Sequence, residues 1–163
     1  MTAAGRCWKP VAVAAAAAVA VAVLGAISTD LGDWYYQLRQ PAWKPPDWAF
    51  GPAWTVIFSL TAVAGVWAWR DAPDRAAREW LLALFALNGF LNVLWSLLYF
   101  RLRRPDWARV EVVFLWLSVA LLIGVLGRYS RRAAWMLVPY LVWVAYAGAL
   151  NWATVSLNAP FGG

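Results

Sequence analysis

The 163-residue chain contains no histidine and a single cysteine, Cys7. Without histidine there is no imidazole to ligate zinc, to hold haem iron on its proximal side or to activate a serine or cysteine nucleophile. One cysteine cannot form an internal disulfide. Charged residues make up only 13% of the chain, so groups for acid–base chemistry are also scarce. These absences argue against hydrolytic and histidine-dependent metal enzymes, and we identify no catalytic residue and no metal site.

Apolar residues are abundant instead and form 64% of the chain. This share is far above that of a soluble domain and is typical of an integral membrane protein. The few charges lie in short clusters between apolar segments, as expected for the loops of a helical membrane protein. The net charge of +6 (14 basic minus 8 acidic residues) suits contact with the anionic headgroups of the lipid bilayer, so no nucleic acid partner is needed to explain it.

Five apolar segments are near the length needed to cross a bilayer, which is about 20 residues. Backbone groups in lipid need hydrogen-bond partners within their own segment, so each segment is predicted to be a helix. The sequence therefore predicts an all-α integral membrane protein, a single domain over residues 1–163. It would be a bundle of five transmembrane helices with an ordered Pro/Trp-rich first loop. The helices are expected at residues 11–27, 50–69, 80–100, 107–126 and 133–155, with the loop at residues 28–49.

The first segment has two interpretations. A basic start, a Val/Ala run and small residues at its end are features of a signal peptide, but the run is longer than usual and favours a retained helix. Ala14, Ala18, Ala22 and Ala26 recur at every fourth position. They either form a face for close helix packing or reflect an alanine-rich composition. Orientation stays open, because the two sets of loops hold eight and six basic residues, too similar for the positive-inside rule.

The segment from Trp34 to Trp54 reads WYYQLRQPAWKPPDWAFGPAW. Its four prolines fix φ, remove donors and keep the preceding residues out of helix, which predicts an ordered, non-helical connector. Its apolar faces come from four tryptophans and a tyrosine: Trp34, Trp43, Trp48, Trp54 and Tyr35. One hypothesis is a lid over a cavity between helices. The alternative is a belt of aromatic residues at the membrane interface, with no ligand.

Polar residues mark one face on each of two predicted helices. Asn88 and Asn92 lie four positions apart on the third helix, and Trp95 continues their face. Tyr140, Trp143, Ala147 and Asn151 share a face of the fifth helix, which Pro139 should kink. Both faces either supply hydrogen bonds and close contacts between helices or line a cavity that holds a ligand.

Glu111 is the one carboxylate clearly inside an apolar segment, one turn into the fourth helix. A carboxylate within a membrane is a candidate functional residue. Its shallow depth also allows it to reach the headgroups or to pair with Arg104 or Arg109. Both interpretations remain open from the sequence.

Three motifs in order, WYYQLRQPAWKPPDWAFGPAW, LNGFLNVLWS and VPYLVWVAYAGALN, resemble the TspO/MBR family of tryptophan-rich sensory proteins, which includes the mitochondrial translocator protein. The resemblance covers about Trp34 to Asn151. It implies a five-helix bundle, often a homodimer, in a bacterial cell membrane. It further implies a cavity for porphyrins (protoporphyrin IX or haem) or other hydrophobic small molecules, closed by the first loop.

The resemblance also implies roles for individual residues. The first loop with Tyr35 would close the pocket, Trp54 and Trp143 would form opposite walls, and Asn88 and Asn92 a polar floor. The full set of candidate ligand-binding residues is Tyr35, Trp43, Trp48, Trp54, Asn88, Asn92, Trp95, Glu111, Tyr140, Trp143 and Ala147. No cofactor is required.

Three further activities are possible for such a protein. Some bacterial relatives have been proposed to degrade porphyrin in light through pocket tryptophans, and this chain has tryptophans to do so. Sterol translocation is less supported, because the cholesterol-recognition pattern expected after the fifth helix is absent. A structural or sensory membrane protein without a transported ligand is the third alternative.

Overall fold

The computed structural model describes residues 3–161, and the side chains from residue 8 onward. The side chain of Cys7 therefore lies outside the described part. The chain is 84% helical, and residues 3–161 contain no β-strand. Five helical segments are long and apolar enough to cross a membrane, which confirms the predicted fold class.

The spans are longer than the ranges expected from the sequence. The elements in order are α1 (Ala3–Ser28), α2 (Asp33–Gln37), a 3₁₀ turn (Asp47–Ala49), α3 (Phe50–Asp71), α4 (Arg75–Ser96) with a π-helical turn (Leu97–Arg101), α5 (Pro105–Tyr129), α6 (Arg131–Met136) and α7 (Val138–Asn158). The first span is α1, and the second is α3 with its preceding 3₁₀ turn. The third is α4 with the π turn, the fourth is α5, and the fifth is α6 with α7.

Local sequence signals explain several helix ends. Asp74 caps α4, because its Oδ1 accepts a 2.7 Å hydrogen bond from the Ala77 amide, as predicted for aspartate at this position. Pro105 is the first residue of α5, where its missing N–H is not needed. The kink expected from Pro139 coincides with a one-residue interruption of the helix: α6 ends at Met136, and α7 begins at Val138 with the proline in its first turn. Leu137 turns the chain between the two helices.

The five spans form a ring in the order α1, α3, α6/α7, α5 and α4, which returns to α1. Of the spans, α5 is the most buried and α1 the least. Leu115, Val119, Leu122 and Leu126 follow one another at intervals of three or four residues, about one turn, and form a buried ridge along one face of α5. The helix α1 packs on α3 and α4 with an alanine-rich surface. The bundle is therefore dense around α5 and looser beside α1.

Candidate functional site

A cavity of about 760 Å³, here called the first cavity, lies at the end of the bundle that carries the first loop. Its walls come from α1, the first loop, the start of α3, the end of α4 and α7. Six of the eleven candidate residues line it: Tyr35, Trp54, Asn92, Trp95, Trp143 and Ala147. The other five, Trp43, Trp48, Asn88, Glu111 and Tyr140, do not.

The alanines of α1 form one side of this cavity. Ala18, Ala22 and Ala26, three of the four positions in the repeating pattern, are lining residues together with Gly25. Small side chains permit close helix packing, but here they leave space. The four-residue pattern therefore marks the helix face that borders the cavity.

Two tryptophans meet inside the first cavity. The ring centroids of Trp54 and Trp143 are 6.4 Å apart and their planes are nearly perpendicular, at 85°. Trp54 is also stacked on Phe58, with a centroid distance of 5.2 Å. A planar ligand cannot be sandwiched between Trp54 and Trp143, because the two indoles are in direct contact and leave no space between them. The two indoles are adjoining walls of the cavity, whereas the family resemblance implied opposite ones.

A polar network ties the first loop together above the cavity. Tyr35 donates a 3.0 Å hydrogen bond from its hydroxyl to Asp47 Oδ1. Lys44 forms an ion pair with the same oxygen, and its ammonium lies 5.3 Å from the centre of the Tyr35 ring. Burial is the main cause, and the hydrogen bond to Asp47 a smaller one, of a pKa of Tyr35 that lies far above its usual value. The phenol therefore remains a hydrogen-bond donor throughout the physiological pH range.

The first loop is fastened to α7 at points far away in sequence. Asn158 accepts a 2.8 Å bond from the Arg39 amide and donates one of equal length to the Arg39 carbonyl. Tyr146 donates a 3.0 Å bond to the carbonyl oxygen of Trp43. Thr154 donates to Gln40 Oε1 at 3.3 Å. The loop is thus held by side chains of the last helix as well as by its own prolines.

The two candidate tryptophans of the first loop, Trp43 and Trp48, lie outside the first cavity. Trp43 packs edge-on against Tyr146, with ring centroids 5.5 Å apart, and is 49% exposed. Trp48 is 76% exposed. Trp43 is placed to hold the loop on α7, whereas Trp48 has the exposure of an aromatic residue at the membrane interface.

The predicted polar face of α4 joins three helices. Asn88 donates to Ser118 Oγ of α5 at 2.8 Å and accepts from the Tyr140 hydroxyl of α7 at 3.1 Å. Asn92 donates to the same hydroxyl at 3.2 Å. Asn88 is fully engaged in linking helices, which is the packing interpretation of the asparagines. Asn92 links helices and also lines the cavity.

A second polar link lies one turn further along α4. Trp95 Nε1 donates to Asn151 Oδ1 at 3.3 Å, and Asn151 donates to the Pro105 carbonyl at 2.9 Å. The indole of Trp95 is thereby oriented by hydrogen bonding while its ring lines the cavity.

Glu111 is buried, with 6% of its surface exposed. Neither of its carboxyl oxygens has a hydrogen-bond partner among the described residues. The pairings considered from sequence do not form, because Arg104 pairs with Asp106 and Arg109 lies over the Trp152 ring. The side chain faces the interior of the bundle rather than the headgroups.

Two buried N–H donors, Gln40 Nε2 and Trp143 Nε1, meet no acceptor with good geometry among the described residues, although the Gln40 amide lies close to the Tyr99 hydroxyl. Both residues line the first cavity. Sequence reasoning found Trp143 but missed Gln40, because a lone glutamine in a loop carries no periodic signal. It also missed Tyr146, Thr154 and Asn158, which anchor the loop. Among the described residues, no group of three cysteine, aspartate or glutamate side chains could hold a metal ion.

Comparison with known proteins gives a consistent set of matches. The sequence model of the TspO/MBR family matches residues 12–157. A tryptophan-rich protein TspO of Chlorobaculum tepidum is 38% identical over 130 residues, covering 77% of this chain and 80% of the relative. A tryptophan-rich sensory protein of Cereibacter sphaeroides is 33% identical over 77% of each chain. A translocator protein of Bos taurus is 32% identical over 73% of this chain and 71% of its own length.

Proposed function

The chain belongs to the TspO/MBR family, and from this premise we propose that it is a receptor that binds a porphyrin or a similar planar hydrophobic ligand in the first cavity. Its five long apolar helices make it a multi-pass integral membrane protein. The observation that carries the proposal is the first cavity itself, with three tryptophans, Trp54, Trp95 and Trp143, in otherwise largely apolar walls.

The polar side chains of the wall define the polar part of the ligand. Gln40 and Trp143 carry N–H groups without a well-formed hydrogen bond, and a small rotation of either side chain toward the cavity would let it donate to a ligand oxygen, which removes a cost of about 1–3 kcal/mol for a buried donor without an acceptor. The propionate carboxylates of a porphyrin are anionic acceptors, which form stronger hydrogen bonds than neutral ones. The donors therefore favour a ligand that carries a carboxylate or a similar oxygen acceptor.

The aromatic walls define the apolar part. Trp54 and Trp143 stand nearly at right angles, so a flat ring stacks on one indole and meets the edge of the other, both favourable geometries for aromatic groups. The volume of about 760 Å³ lies within the usual range of roughly 300–1,000 Å³ for small-molecule sites. A tetrapyrrole with acidic substituents combines both requirements.

The first loop is proposed as the lid. Tyr35 and Asp47 are cavity-lining residues of the loop, and their hydrogen bond joins α2 to the 3₁₀ turn. The anchors to α7 would then set how often the loop opens and how long the ligand stays. We also propose a regulatory role in a bacterial cell membrane, supported by the sensory name of the Cereibacter relative.

The test is a titration of the purified protein with protoporphyrin IX in dim light, followed by tryptophan fluorescence. Saturable binding is expected, with affinity about tenfold weaker in Trp143→Phe, which lacks the N–H donor. The matched control is Trp135→Phe, because Trp135 is 68% exposed and lies outside the cavity. The absence of saturation would refute the receptor and leave a membrane protein without such a ligand.

The same samples distinguish the alternative activities. Loss of porphyrin absorbance under illumination, abolished in Trp143→Phe but not in Trp135→Phe, would indicate a light-dependent degrading enzyme. Three tryptophans, Trp54, Trp95 and Trp143, line the cavity and are placed to contact the ligand. Displacement of protoporphyrin IX by cholesterol would instead favour a sterol ligand.

A further inference from the structure

A second cavity, of about 530 Å³, lies between α1, α3 and α4 toward the end of the bundle opposite the first loop. Lys9 of α1 and Trp69 of α3 lie at its outer end, whereas Phe58 lies at its inner end. Phe58 also lines the first cavity, together with Ala18 and Ala62. The two cavities therefore meet at the Phe58 ring, which separates a space beneath the loop from a space open toward the other side of the membrane.

The interior of the second cavity presents no unpartnered polar group among its described lining side chains. Thr61 donates to the Ile57 carbonyl within its own helix. Asn88 and Tyr140 bond to each other and to other residues of the protein. The first cavity, in contrast, is lined by several polar side chains, among them Gln40, Asp47 and Asn92. An occupant of the second cavity thus needs no polar atoms in the part that enters, which describes a hydrocarbon chain.

The outer end of the second cavity is polar and positively charged. Lys9 is exposed and forms no ion pair with a carboxylate of the described side chains. Nearby, Trp69 is held by Arg78, which donates to its carbonyl at 3.3 Å and lies 5.7 Å from its ring centre. Tryptophan and basic side chains of this kind are typical of the headgroup region. A negative group at Lys9 would be attracted by its charge.

The wall formed by α1 is accessible from the surrounding hydrocarbon. Val13, a lining residue, is 60% exposed, and Ala17 beside it is also exposed. A molecule dissolved in the bilayer can therefore enter from the side. An amphiphile with an apolar chain and an anionic head matches the interior, the outer end and this lateral access.

We propose that the second cavity is a lipid site that holds one acyl chain of an anionic glycerophospholipid, with the phosphate at Lys9. This site is distinct from the first cavity and does not depend on the ligand proposed there. The bilayer is its source, since the cavity is reached through the exposed face of α1.

The test measures lipid binding to delipidated protein in detergent by native mass spectrometry. Phosphatidylglycerol and phosphatidylcholine with identical acyl chains serve as probes. The intact protein should bind the anionic lipid about fivefold more tightly, the contribution of one lysine near an anionic surface. Lys9→Gln should abolish this preference and leave phosphatidylcholine binding unchanged. Arg128→Gln, at another exposed basic residue on the same side of the bundle, is the matched control and should keep it.

A pair of α1 variants tests the chain pocket itself. Ala17→Phe fills the second cavity and should weaken both lipids, whereas Ala16→Phe adds the same side chain at a neighbouring position that lines neither cavity. Equal affinity for the two lipids in the intact protein, or a preference that survives Lys9→Gln, would overturn the proposal even if Ala17→Phe failed to fold. Loss of a dimer in Ala17→Phe with lipid binding intact would overturn it too, in favour of a second copy on this face.

Discussion

Replacement of Gln40 by leucine separates a ligand-binding role of this side chain from a structural one. In the ligand-free protein, Gln40 Nε2 is buried close to the Tyr99 hydroxyl but forms no hydrogen bond of good geometry. Its oxygen lies 3.3 Å from the Thr154 hydroxyl, whose single proton is shared with the Leu150 carbonyl at 2.9 Å. Leucine removes a shared bond, worth at most about 0.5–1.5 kcal/mol, together with the cost of burying a poorly bonded amide. The free energy of unfolding should therefore stay within about 1 kcal/mol of the original or increase.

The effect on ligand affinity should have the opposite sign. If Gln40 donates to a ligand carboxylate, its replacement removes a hydrogen bond to a charged acceptor, about 1.5–3 kcal/mol. At 1.4 kcal/mol per factor of ten, the Kd for protoporphyrin IX should rise roughly 10- to 150-fold. Esterified protoporphyrin offers only neutral acceptors, for which the bond is about 0.5–1.5 kcal/mol. The same variant should then lose only roughly two- to twelvefold in affinity for the dimethyl ester.

The assay combines fluorescence titrations of both porphyrins with thermal unfolding of the ligand-free protein. Gln37→Leu is the matched control, because Gln37 lies in the same loop region, is exposed and lines neither cavity. It should change neither affinity. The reasoning is refuted if Gln40→Leu binds protoporphyrin IX as well as the original protein while its unfolding temperature falls. That result would assign the glutamine to holding the loop.

Three other predictions concern the loop, the helix contacts and the ring. Trp43→Ala removes the ring contact with Tyr146, which is worth about 0.5–1.5 kcal/mol, so porphyrin dissociation measured by stopped-flow should accelerate two- to tenfold. Replacement of the exposed Trp48 by alanine should leave the dissociation rate unchanged. Equal acceleration in both variants would contradict the anchoring role of Trp43. Asn88→Leu leaves the proton of the buried Tyr140 hydroxyl without its acceptor and should lower the free energy of unfolding by about 1–3 kcal/mol. Porphyrin affinity of the folded protein should be preserved, and a selective loss of affinity would place Asn88 in the ligand site. Trp143→Leu should weaken the binding of protoporphyrin IX and of haem alike, by about tenfold. A strong preference for haem, with spectral signs of axial ligation, would argue against recognition of the ring plane.

The fold was predictable because its signals are local and strong. Apolar length alone identifies a membrane-spanning helix. The prolines identify the non-helical connector only in part, because the stretch begins within α2 (Asp33–Gln37), contains the 3₁₀ turn (Asp47–Ala49), and ends in α3, where Pro52 lies. The break at Leu137 shows the limit of such reasoning. Pro139 predicts a disturbed helix, but whether the chain bends or restarts depends on how α6 packs on α3 and α5, which residue order does not show.

The site was predictable in its residue types but not in its geometry. The candidate tryptophans Trp54 and Trp143 do line one cavity, yet their contact at right angles depends on side-chain rotamers and the relative rotation of α3 and α7. The sequence places Glu111 at a shallow depth and allows it to pair with an arginine. Its burial, with no hydrogen-bond partner among the described residues, follows from the burial of that face of α5. Gln40 was missed because its relevance arises from the path of the loop, and a loop path has no periodicity to read.

The fastening of the first loop has a consequence for how the protein is made. Arg39 and Asn158, joined by two hydrogen bonds, are separated by 119 positions, and Tyr146 reaches back to Trp43 in the same way. During synthesis the N-terminal part of a chain emerges first, so the loop leaves the ribosome long before α7 exists to receive it. The roof of the first cavity is therefore one of the last parts to assemble. A nascent chain lacking its final span cannot make these contacts, so binding competence would mark completion of the polypeptide.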